Sequence, residues 1–282
     1  MTKIKDDMPI LSIITINYNN KKGLERTIAS VIDQTFADYE FIVIDGGSTD
    51  GSAEEIKRNS SKLTYWISER DNGVYHAMNK GIKKAVGNYC LFLNSGDCLT
   101  DNNILSNLFQ ENHQEDILYT DAYFGNSRYT YSSFLSLEFL LTKSLCHQST
   151  LIKKQLFDKY GLYNENHLIY SDWDFLLKVI LLESCTYKYL DFVCLSKIEI
   201  GGISQQRKNE EIRNIERENI LNENIKKIVS SRIHEDGFLN EISDLIIRYT
   251  EFKDSKLTKI ALKIEKTSLF FALKRIYYHI KI

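Results

Sequence analysis

The stretch FIVIDGGSTDGS, residues 41–52, decides the fold of this chain. Its first part is apolar and rich in β-branched residues up to Asp45, which is typical of a strand buried on both faces, and a glycine pair ends that strand. Ser52 and Glu55 then have the spacing of a capping box, which predicts that a helix starts there. A buried strand followed by a helix is the repeating unit of a parallel sheet covered by helices.

The same alternation extends on both sides of this stretch. Apolar runs predict strands at 10–16, 63–68 and 88–94, and the spacing of apolar residues predicts helices at 24–32 and 74–86. The resulting β-α-β-α-β-α-β order predicts right-handed crossovers. We therefore expect an α/β fold with a mostly parallel sheet flanked by helices.

The middle of the chain is less regular. Short apolar runs predict strands at 116–121, 149–154 and 189–196. Residues 171–183 begin with acidic residues and then become strongly apolar, which predicts a helix whose first turn faces a site.

The composition changes after about residue 205, where Lys, Glu, Asn and Ile dominate and the β signal is weak. We expect a first domain at 8–205 and a helical C-terminal extension at 206–282. Within the extension, 256–282 combines two apolar stripes with seven basic residues and one acid. A basic amphipathic helix of this kind can bind an anionic membrane surface, although packing or dimerisation is the alternative.

The bulk properties narrow the class of protein. A formal net charge of -2 argues against a nucleic-acid partner, because polyanion binders usually carry a basic excess. The five cysteines are odd in number and contain no CxxC, which favours a reducing cytoplasm. The N-terminus lacks the apolar run of a signal peptide, and no stretch reaches the length of a membrane span.

Polar and acidic residues follow each of the first four predicted strands. Because the carboxyl ends of parallel strands meet at one edge, where ligands of such sheets bind, these residues mark a candidate site. The four strand ends are Asn17-Tyr18-Asn19, Asp45-Gly46-Gly47-Ser48, Glu69-Arg70-Asp71 and Asn94-Ser95-Gly96-Asp97.

These strand-end motifs resemble the family-2 glycosyltransferases with the Rossmann-like GT-A fold. The versions DGGSTDG, AMNKG and FLNSGD are most similar to the bacterial subgroup that builds colanic acid, O-antigen and capsule repeat units. The resemblance covers the first 205 or so residues and implies a hexosyltransferase-like enzyme of bacterial surface polysaccharide synthesis. The matching pieces are SIITINYN at 12–19, IASVIDQTF at 28–36, FIVIDGGSTDGS at 41–52, DNGVYHAMNKGI at 71–82, YCLFLNSGD at 89–97, SDWDFLLK at 171–178 and GGIS at 201–204.

The resemblance implies a nucleotide-sugar donor, by analogy a UDP-sugar, bound at the strand ends. Asp45 is expected to accept a hydrogen bond from the base or ribose, although an Asx-turn would also explain it. Tyr18 is expected to stack on or border the base, with Asn19 and Ser95 nearby. Asp71 is expected either to bind the donor or to cap a helix.

The resemblance also implies a Mg²⁺ or Mn²⁺ ion on the donor diphosphate, held by Asp97. The family commonly has an acidic cluster at this position, whereas Asp97 is here the only carboxylate of its turn. The alternative is that Asp97 only caps a tight turn. Lys80 is expected to lie on a solvated helix face, with contact to phosphate as the other interpretation.

For the chemical step, the resemblance implies inversion at the anomeric carbon with Asp172 as the base that takes the acceptor proton. Asp174 is the neighbouring candidate, and both acids also suit the first turn of a helix. His147 is a candidate on the acceptor or phosphate side, or a structural histidine. Gly201 and Gly202 are expected to form a loop that closes over donor or acceptor.

Competing classes lack their motifs. The loop after the first strand contains no GxGxxG of a dinucleotide oxidoreductase, and the chain has no GxxxxGK[ST] of a P-loop enzyme. A sugar nucleotidyltransferase and a non-catalytic nucleotide-sugar-binding subunit of a polysaccharide assembly complex remain as alternatives. The expected acceptor is a saccharide or lipid-linked saccharide, and the expected place is the cytoplasm or the inner face of the plasma membrane.

Overall fold

The structure is a computed structural model that describes residues 8–232. These residues form two compact units, each built from several segments. The basic segment 256–282 and the remainder of the expected extension lie outside the described residues. The first unit comprises 8–134, Leu145–Ser171 and Cys185–Ile200, and the second comprises Leu135–Ser144, Asp172–Ser184 and 201–232.

One nine-stranded sheet forms the centre of the first unit. Its strands are β1 (Leu11–Asn17), β2 (Tyr39–Asp45), β3 (Tyr65–Ser68), β4 (Tyr89–Phe92), β5 (Cys98–Leu99), β6 (Ile117–Phe124), β7 (Ser127–Tyr129), β8 (Thr150–Lys153) and β9 (Tyr187–Ile198). Their order across the sheet is β3-β2-β1-β4-β8-β6-β9-β5, and β7 pairs with β6.

The first four strands are parallel to one another, as the sequence predicts. The chain moves outward from β1 to β2 and β3, and β4 returns on the other side of β1. The connections therefore diverge between β1 and β4, and the carboxyl ends of strands at such a point are where α/β sheets bind ligands. Beyond β4 the sheet is mixed, because β8, β7 and β5 run against their neighbours, while β6 and β9 are parallel to each other.

Helices cover this sheet because each has one apolar face. In the first unit they are α1 (Lys21–Ile32), α2 (Ser52–Arg58), α3 (Val74–Lys84), α4 (Ile104–Leu108) and α6 (Lys154–Tyr160). On α1, Leu24, Ile28 and Val31 are buried at helical spacing and join residues of β1 and β2 in the core. This packing fixes the start of α1 next to the end of β1.

The second unit is helical. It contains α5 (Leu137–Thr142), α7 (Ser171–Leu177, which starts at the last residue of a first-unit segment), a π-helical continuation at Lys178–Leu182, and α8 (Glu210–Arg232). Trp173 on α7 is 2% exposed and its indole N–H donates to the Leu140 carbonyl at 2.8 Å. The Arg217 guanidinium of α8 lies 4.9 Å from the centre of the same indole ring. This tryptophan therefore fastens α5, α7 and α8 together.

Several local predictions differ from the structure. The capping box is wrong: α2 begins at Ser52 itself, with Gly51 at the cap position, and the Ser52 hydroxyl donates to Asp50 at 2.6 Å. The strand expected at 149–154 ends at Lys153, because α6 starts at the next residue. Within residues 8–232, no helix is long and apolar enough to cross a membrane.

Candidate active site

Asp45, the last residue of β2, is the centre of a buried hydrogen-bond network. Its side chain is fully buried and accepts four hydrogen bonds. Asn17 Nδ2 and Ser48 Oγ donate to Oδ1 at 2.7 and 2.5 Å. The backbone N–H of Ser48 and the hydroxyl of Ser68 donate to Oδ2 at 3.0 and 2.6 Å. Asp45 thus fastens the carboxyl ends of β1, β2 and β3 together.

These donors also control the charge of Asp45. Burial raises the pKa of its carboxyl, but the hydrogen bonds from Ser48, Ser68 and Asn17 outweigh burial and bring the pKa below its ordinary value. The carboxylate is therefore ionised and fully occupied by protein donors. The expectation that Asp45 itself bonds the nucleotide stays a prediction. In this structure the hydrogen bonds of Asp45 hold the strand ends of the site together.

Gly46, Tyr18 and Asp71 lie together next to this network, and we call these three residues the Gly46 floor. A Cβ atom built on Gly46 would lie 3.2 Å from Tyr18 Cδ2, 3.4 Å from Asp71 Oδ2 and 3.6 Å from the Asn17 carbonyl oxygen. Glycine at this position therefore lets the Tyr18 ring and the Asp71 carboxylate lie close to the backbone, where a side chain would crowd them. Tyr18 is 68% exposed, so a face of its ring is available to a flat ligand.

Asn19 fixes the loop that carries Tyr18. Its backbone lies in the left-handed region at φ 50°, where Asn is tolerated better than most residues. Its backbone N–H donates to Ser48 Oγ at 2.7 Å, and its side-chain oxygen accepts from the Thr49 N–H at 2.8 Å. The observed contacts of Asn19 are thus between the loops after β1 and β2.

Asp71, which is part of the Gly46 floor, forms an ion pair with Lys80. The Lys80 ammonium on α3 lies 2.6 Å from Asp71 Oδ1 and 2.7 Å from Glu69 Oε1. The expectation of a solvated helix face is wrong, because the Lys80 side chain is only 19% exposed. The helix-cap alternative for Asp71 is also not observed, since α3 begins after Gly73 without a side-chain cap.

Asp97 follows β4 and lies in a different environment. Its carboxylate is 4% exposed and accepts from the Gln148 side-chain amide at 3.0 Å and from the Glu199 backbone N–H at 2.9 Å. Burial raises the pKa of Asp97 above its ordinary value, and these hydrogen bonds together with His147 offset only part of that rise. Asp97 is therefore a carboxylate that a nearby positive charge would stabilise.

The rest of the turn at residues 94–97 adds oxygen atoms next to Asp97. The Asn94 side chain lies 3.1 Å from His147 Nε2, and Asn94 Oδ1 is buried with no hydrogen-bond partner among the described residues. The Ser95 carbonyl accepts from Asn20 Nδ2 at 2.9 Å. The structure thus places His147 at the turn that carries Ser95 and Asp97, and its role on the acceptor or phosphate side stays a prediction.

Sequence reasoning missed Glu199 at this turn. A Cβ on Gly96, whose φ is +109°, would lie 2.0 Å from Glu199 Oε2, so the Glu199 carboxylate fills the space that a side chain at Gly96 would take. Glu199 also pairs with Arg26 of α1. The signal available in the sequence was the lack of acids in Asn94-Ser95-Gly96, together with an acid just before Gly201-Gly202. Among residues 8–232, no group of three or more His, Cys, Asp or Glu side chains is arranged to hold a metal by itself.

The two candidate bases lie in the second unit, at the start of α7. Asp172 Oδ1 accepts from the backbone N–H of Trp173 at 2.9 Å. Asp174 Oδ1 accepts from Asn224 Nδ2 of α8 at 2.9 Å, and Asn224 also donates to the Ile220 carbonyl. Asp174 therefore connects α7 and α8, and the choice between the two acids as the base stays a prediction.

The predicted glycine loop also begins in the second unit. Gly201 has φ +102°, and its N–H donates to Gln205 Oε1 at 2.8 Å. A Cβ on Gly201 or Gly202 would meet no atom within 4 Å. The expectation that this loop closes over a ligand stays a prediction.

Known proteins are similar to this chain in sequence and in fold. The family described as Glycosyl transferase family 2 matches residues 12–170. The PGL/p-HBAD biosynthesis glycosyltransferase of Mycobacterium bovis is 30% identical over 203 residues, which cover 70% of this chain and 79% of that protein.

Two solved structures extend the comparison. S. aureus TarS 1-349 in complex with UDP-GlcNAc superposes with a TM-score of 0.67 at 19% identity, over 94% of this chain and 80% of that one. Against the longer TarS chain the match covers 46% of that protein. The mannosyltransferase PcManGT of Pyrobaculum calidifontis, in complex with GDP-Man and Mn²⁺, gives 0.61 at 13% identity over 96% and 88%.

The sheet order and the fold similarity define a GT-A glycosyltransferase fold. The family match and the mycobacterial relative identify the particular group, and the chain belongs to glycosyltransferase family 2. The prediction of a glycosyltransferase is therefore confirmed, and the alternative of a sugar nucleotidyltransferase is not supported.

Proposed function

We propose that this protein is an inverting glycosyltransferase that moves a sugar from a UDP-sugar to a hydroxyl of a saccharide or lipid-linked saccharide. The observation that carries this proposal is the exposed Tyr18 ring at the Gly46 floor, beside the Asp45 network that joins the ends of β1, β2 and β3. A flat base can stack on an exposed ring face. TarS, which has the same fold, binds UDP-GlcNAc.

The turn at residues 94–97 fits a divalent cation that is shared with a diphosphate. Mg²⁺ is usually held by one or two carboxylates plus substrate phosphates, so a three-residue metal cluster is not required. Asp97 would hold the cation, with Asn94 Oδ1 as an oxygen that lacks a partner and Glu199 as the nearest second acid. The ion, Mg²⁺ or Mn²⁺, would neutralise charge on the leaving diphosphate. PcManGT binds Mn²⁺ with its donor.

Asp172 is the proposed base because SDWDFLLK at 171–178 is similar to the segment that carries the base in the family. The acceptor oxygen forms a bond to the anomeric carbon from the side opposite the diphosphate. The bond from that carbon to the diphosphate oxygen breaks, and UDP leaves with the electron pair. Asp172 takes the proton of the attacking hydroxyl, whose own pKa is too high for spontaneous ionisation.

We also propose that residues 8–205 form the catalytic domain and that 206–282 is an extension to it. A lipid-linked acceptor suits this arrangement, because the basic segment 256–282 would bring the enzyme to an anionic membrane surface from the cytoplasmic side. The M. bovis relative acts in PGL/p-HBAD biosynthesis.

The experiment that tests the function measures UDP release from a panel of nucleotide sugars, with Mn²⁺, for the wild type, Asp172→Asn and Asp191→Asn. Asp191 is an exposed acid on β9 and serves as the matched control. We expect Asp172→Asn to lower the turnover of the preferred donor by about 10²–10⁴-fold, with little change in UDP affinity. Undiminished turnover by Asp172→Asn would contradict the assignment of Asp172 as the base. If the wild-type protein releases UDP from none of the donors, the proposed function itself is contradicted.

A further inference from the structure

A cavity at the β6–β7 hairpin and the end of β9 contains none of the residues that the proposed chemistry uses. It is open to solvent and has a volume of about 410 Å³. Sites for small ligands usually have volumes of about 300–1,000 Å³, so the cavity is large enough for one. We call it the Lys197 pocket, and its lining residues are Thr100, Tyr123, Gly125, Asn126 and Lys197.

Hydrogen bonds to β9 hold the walls of this pocket in place. The Thr100 N–H donates to the Leu195 carbonyl at 3.1 Å, and the Thr100 hydroxyl donates to the Cys194 carbonyl at 2.7 Å. On the hairpin side, the Gly125 N–H donates to the Ile198 carbonyl at 3.3 Å. Both walls are therefore attached to one strand, and the pocket is preformed.

Three strands place their side chains in a row at this pocket. Tyr123 of β6 is paired with Lys197 of β9 and, on its other side, with Arg128 of β7. Paired residues of neighbouring strands lie on the same face of a sheet. The charge of Arg128 is compensated, because its Nε lies 2.7 Å from Oδ2 of the buried Asp121.

The charge of Lys197 is not compensated in this way. Lys197 is exposed, and no ion pair or hydrogen bond within residues 8–232 engages its ammonium group. The Tyr123 hydroxyl and the Asn126 amide also have no hydrogen-bond partner in that range. The pocket thus offers one positive charge together with groups that can bond to hydroxyls. A saccharide that carries an anionic group matches both features.

The position of the pocket separates it from the expected donor. Lys197 precedes Glu199 by two residues, and the Glu199 backbone N–H donates to Asp97 at 2.9 Å. Two residues of extended chain span about 7 Å, so the pocket begins close to the turn at residues 94–97 without including it. A ligand there would lie beside the donor diphosphate, where an acceptor is needed.

We propose that the Lys197 pocket is a subsite for the acceptor and binds an anionic group of that saccharide, either a carboxylate of a uronic acid or a phosphate. This inference rests on the proposed function, because it assigns the chemical class of the acceptor in the same reaction. An ammonium group is a point charge that suits either anion. Tyr123 and Asn126 bond to the hydroxyls beside it.

The experiment measures the dissociation constants of methyl glucuronide, glucose 6-phosphate and methyl glucoside by NMR titration of the full chain, with UDP and Mn²⁺ present to occupy the donor site. The dissociation constant of UDP is measured separately by calorimetry. The variants are Lys197→Met, Lys197→Arg and Tyr123→Phe. Lys188→Met is the matched control, because Lys188 lies near the other end of the same strand.

We expect the wild type to prefer one of the two anionic sugars over methyl glucoside, and the preferred one distinguishes carboxylate from phosphate. Lys197→Met should weaken that sugar roughly fivefold, which is the effect of an exposed charge pair, and added salt should weaken it too. Lys197→Arg retains most of the affinity, and Lys188→Met leaves it unchanged. Tyr123→Phe removes a hydroxyl but no charge and should weaken the sugar about threefold.

A wild type that binds UDP but prefers neither anionic sugar over methyl glucoside would overturn the inference, as would an unchanged affinity in Lys197→Met. A loss in Lys197→Met that Tyr123→Phe does not share would indicate general attraction to a surface charge, and it would overturn the pocket as the site. An equal loss of UDP affinity in Lys197→Met would place the ammonium at the donor instead. A wild type that binds no UDP contradicts the proposed function, so the two failures are distinguishable.

Discussion

The first three strand ends and the end of β4 lie on the same edge of one sheet, yet they are built differently. At the first three, Asp45 accepts four hydrogen bonds, is fully buried, and has a pKa below its ordinary value. At the end of β4, Asp97 accepts from the Gln148 side-chain amide and the Glu199 backbone N–H, and its pKa is raised by burial. Next to it, Asn94 Oδ1 has no partner among the described residues.

This difference indicates that the two regions provide different environments for two parts of one ligand. The Asp45 carboxylate receives all its donors from the protein, whereas Asn17 Oδ1 and, beside Gly46, Asp71 Oδ2 are buried without a hydrogen-bond partner among the described residues. At the turn of residues 94–97, burial disfavours the charge of Asp97, and a nearby positive charge would offset that penalty. A diphosphate with a divalent cation supplies that charge.

Asp97→Asn should have the largest effect on activity. Removal of the proposed metal-holding carboxylate is expected to lower donor turnover about 10³-fold, since a metal contributes several kcal/mol to charge stabilisation. The measurement is UDP release, together with Mn²⁺ binding followed by electron paramagnetic resonance. Asp33→Asn, an exposed acid after α1, is the control. Unchanged Mn²⁺ binding by Asp97→Asn would place the metal elsewhere.

Asp45→Ala should have the largest effect on stability. The substitution leaves the donors of Asn17, Ser48 and Ser68 buried without an acceptor, which we expect to cost about 3 kcal/mol of unfolding free energy. Urea unfolding without ligand measures this loss. Asp97→Asn should be as stable as the wild type or more so at neutral pH, because it removes a buried charge. Equal losses in both variants would contradict the comparison.

Gly46→Ala should affect ligand binding alone. Its Cβ would occupy the floor at 3.2 Å from Tyr18 and 3.4 Å from Asp71, without a strained backbone, since only glycines with positive φ carry that restriction. We expect UDP affinity to fall roughly tenfold. Mn²⁺ binding measured on the same sample should not change, and a parallel loss of both would show that the two regions are not separable.

The smallest expected effect is on the pH dependence of stability. Asp45 has a lowered folded pKa, so its contribution is present above its unfolded pKa of about 3.9 and is lost as pH falls through the folded value. Asp97 has a raised folded pKa, so its contribution has the opposite sign and is lost as pH rises through that value. Unfolding free energies measured from about pH 3 upward should show a smaller acid slope in Asp45→Asn and an undiminished one in Asp97→Asn; Asp50, Asp116 and Asp121, whose pKa values are also lowered, keep part of the slope in both. The same slope in both variants would contradict these directions.

The sequence predicted the part of the fold that repeats. β1 to β4 and α1 to α3 have clear apolar patterns, and the strand-end residues follow from them. Very short elements such as β5 and β7 contain too few residues for any period to appear. The capping box failed because Asp50, one residue before the glycine at the cap position, accepts from Ser52 instead.

The site contacts were harder to predict because they join distant segments. Glu199 lies against Gly96 although more than a hundred positions separate them, and only the fold brings them together. In the sequence Lys80 resembles a surface lysine, because the two acids that pair with it, Glu69 and Asp71, lie outside α3 and precede it. Charge pairing across elements leaves no local pattern in a sequence.

The most direct test of the two-region account is the dissociation constant of UDP for the wild-type protein, measured with and without Mn²⁺ and repeated with uridine. The account predicts that UDP binds without metal, that Mn²⁺ tightens UDP at least tenfold by about 1.4 kcal/mol or more, and that uridine is insensitive to Mn²⁺. UDP binding that is indifferent to Mn²⁺, or uridine binding that requires it, would contradict the division of the edge into a base-binding region at the first three strand ends and a metal-dependent turn at residues 94–97.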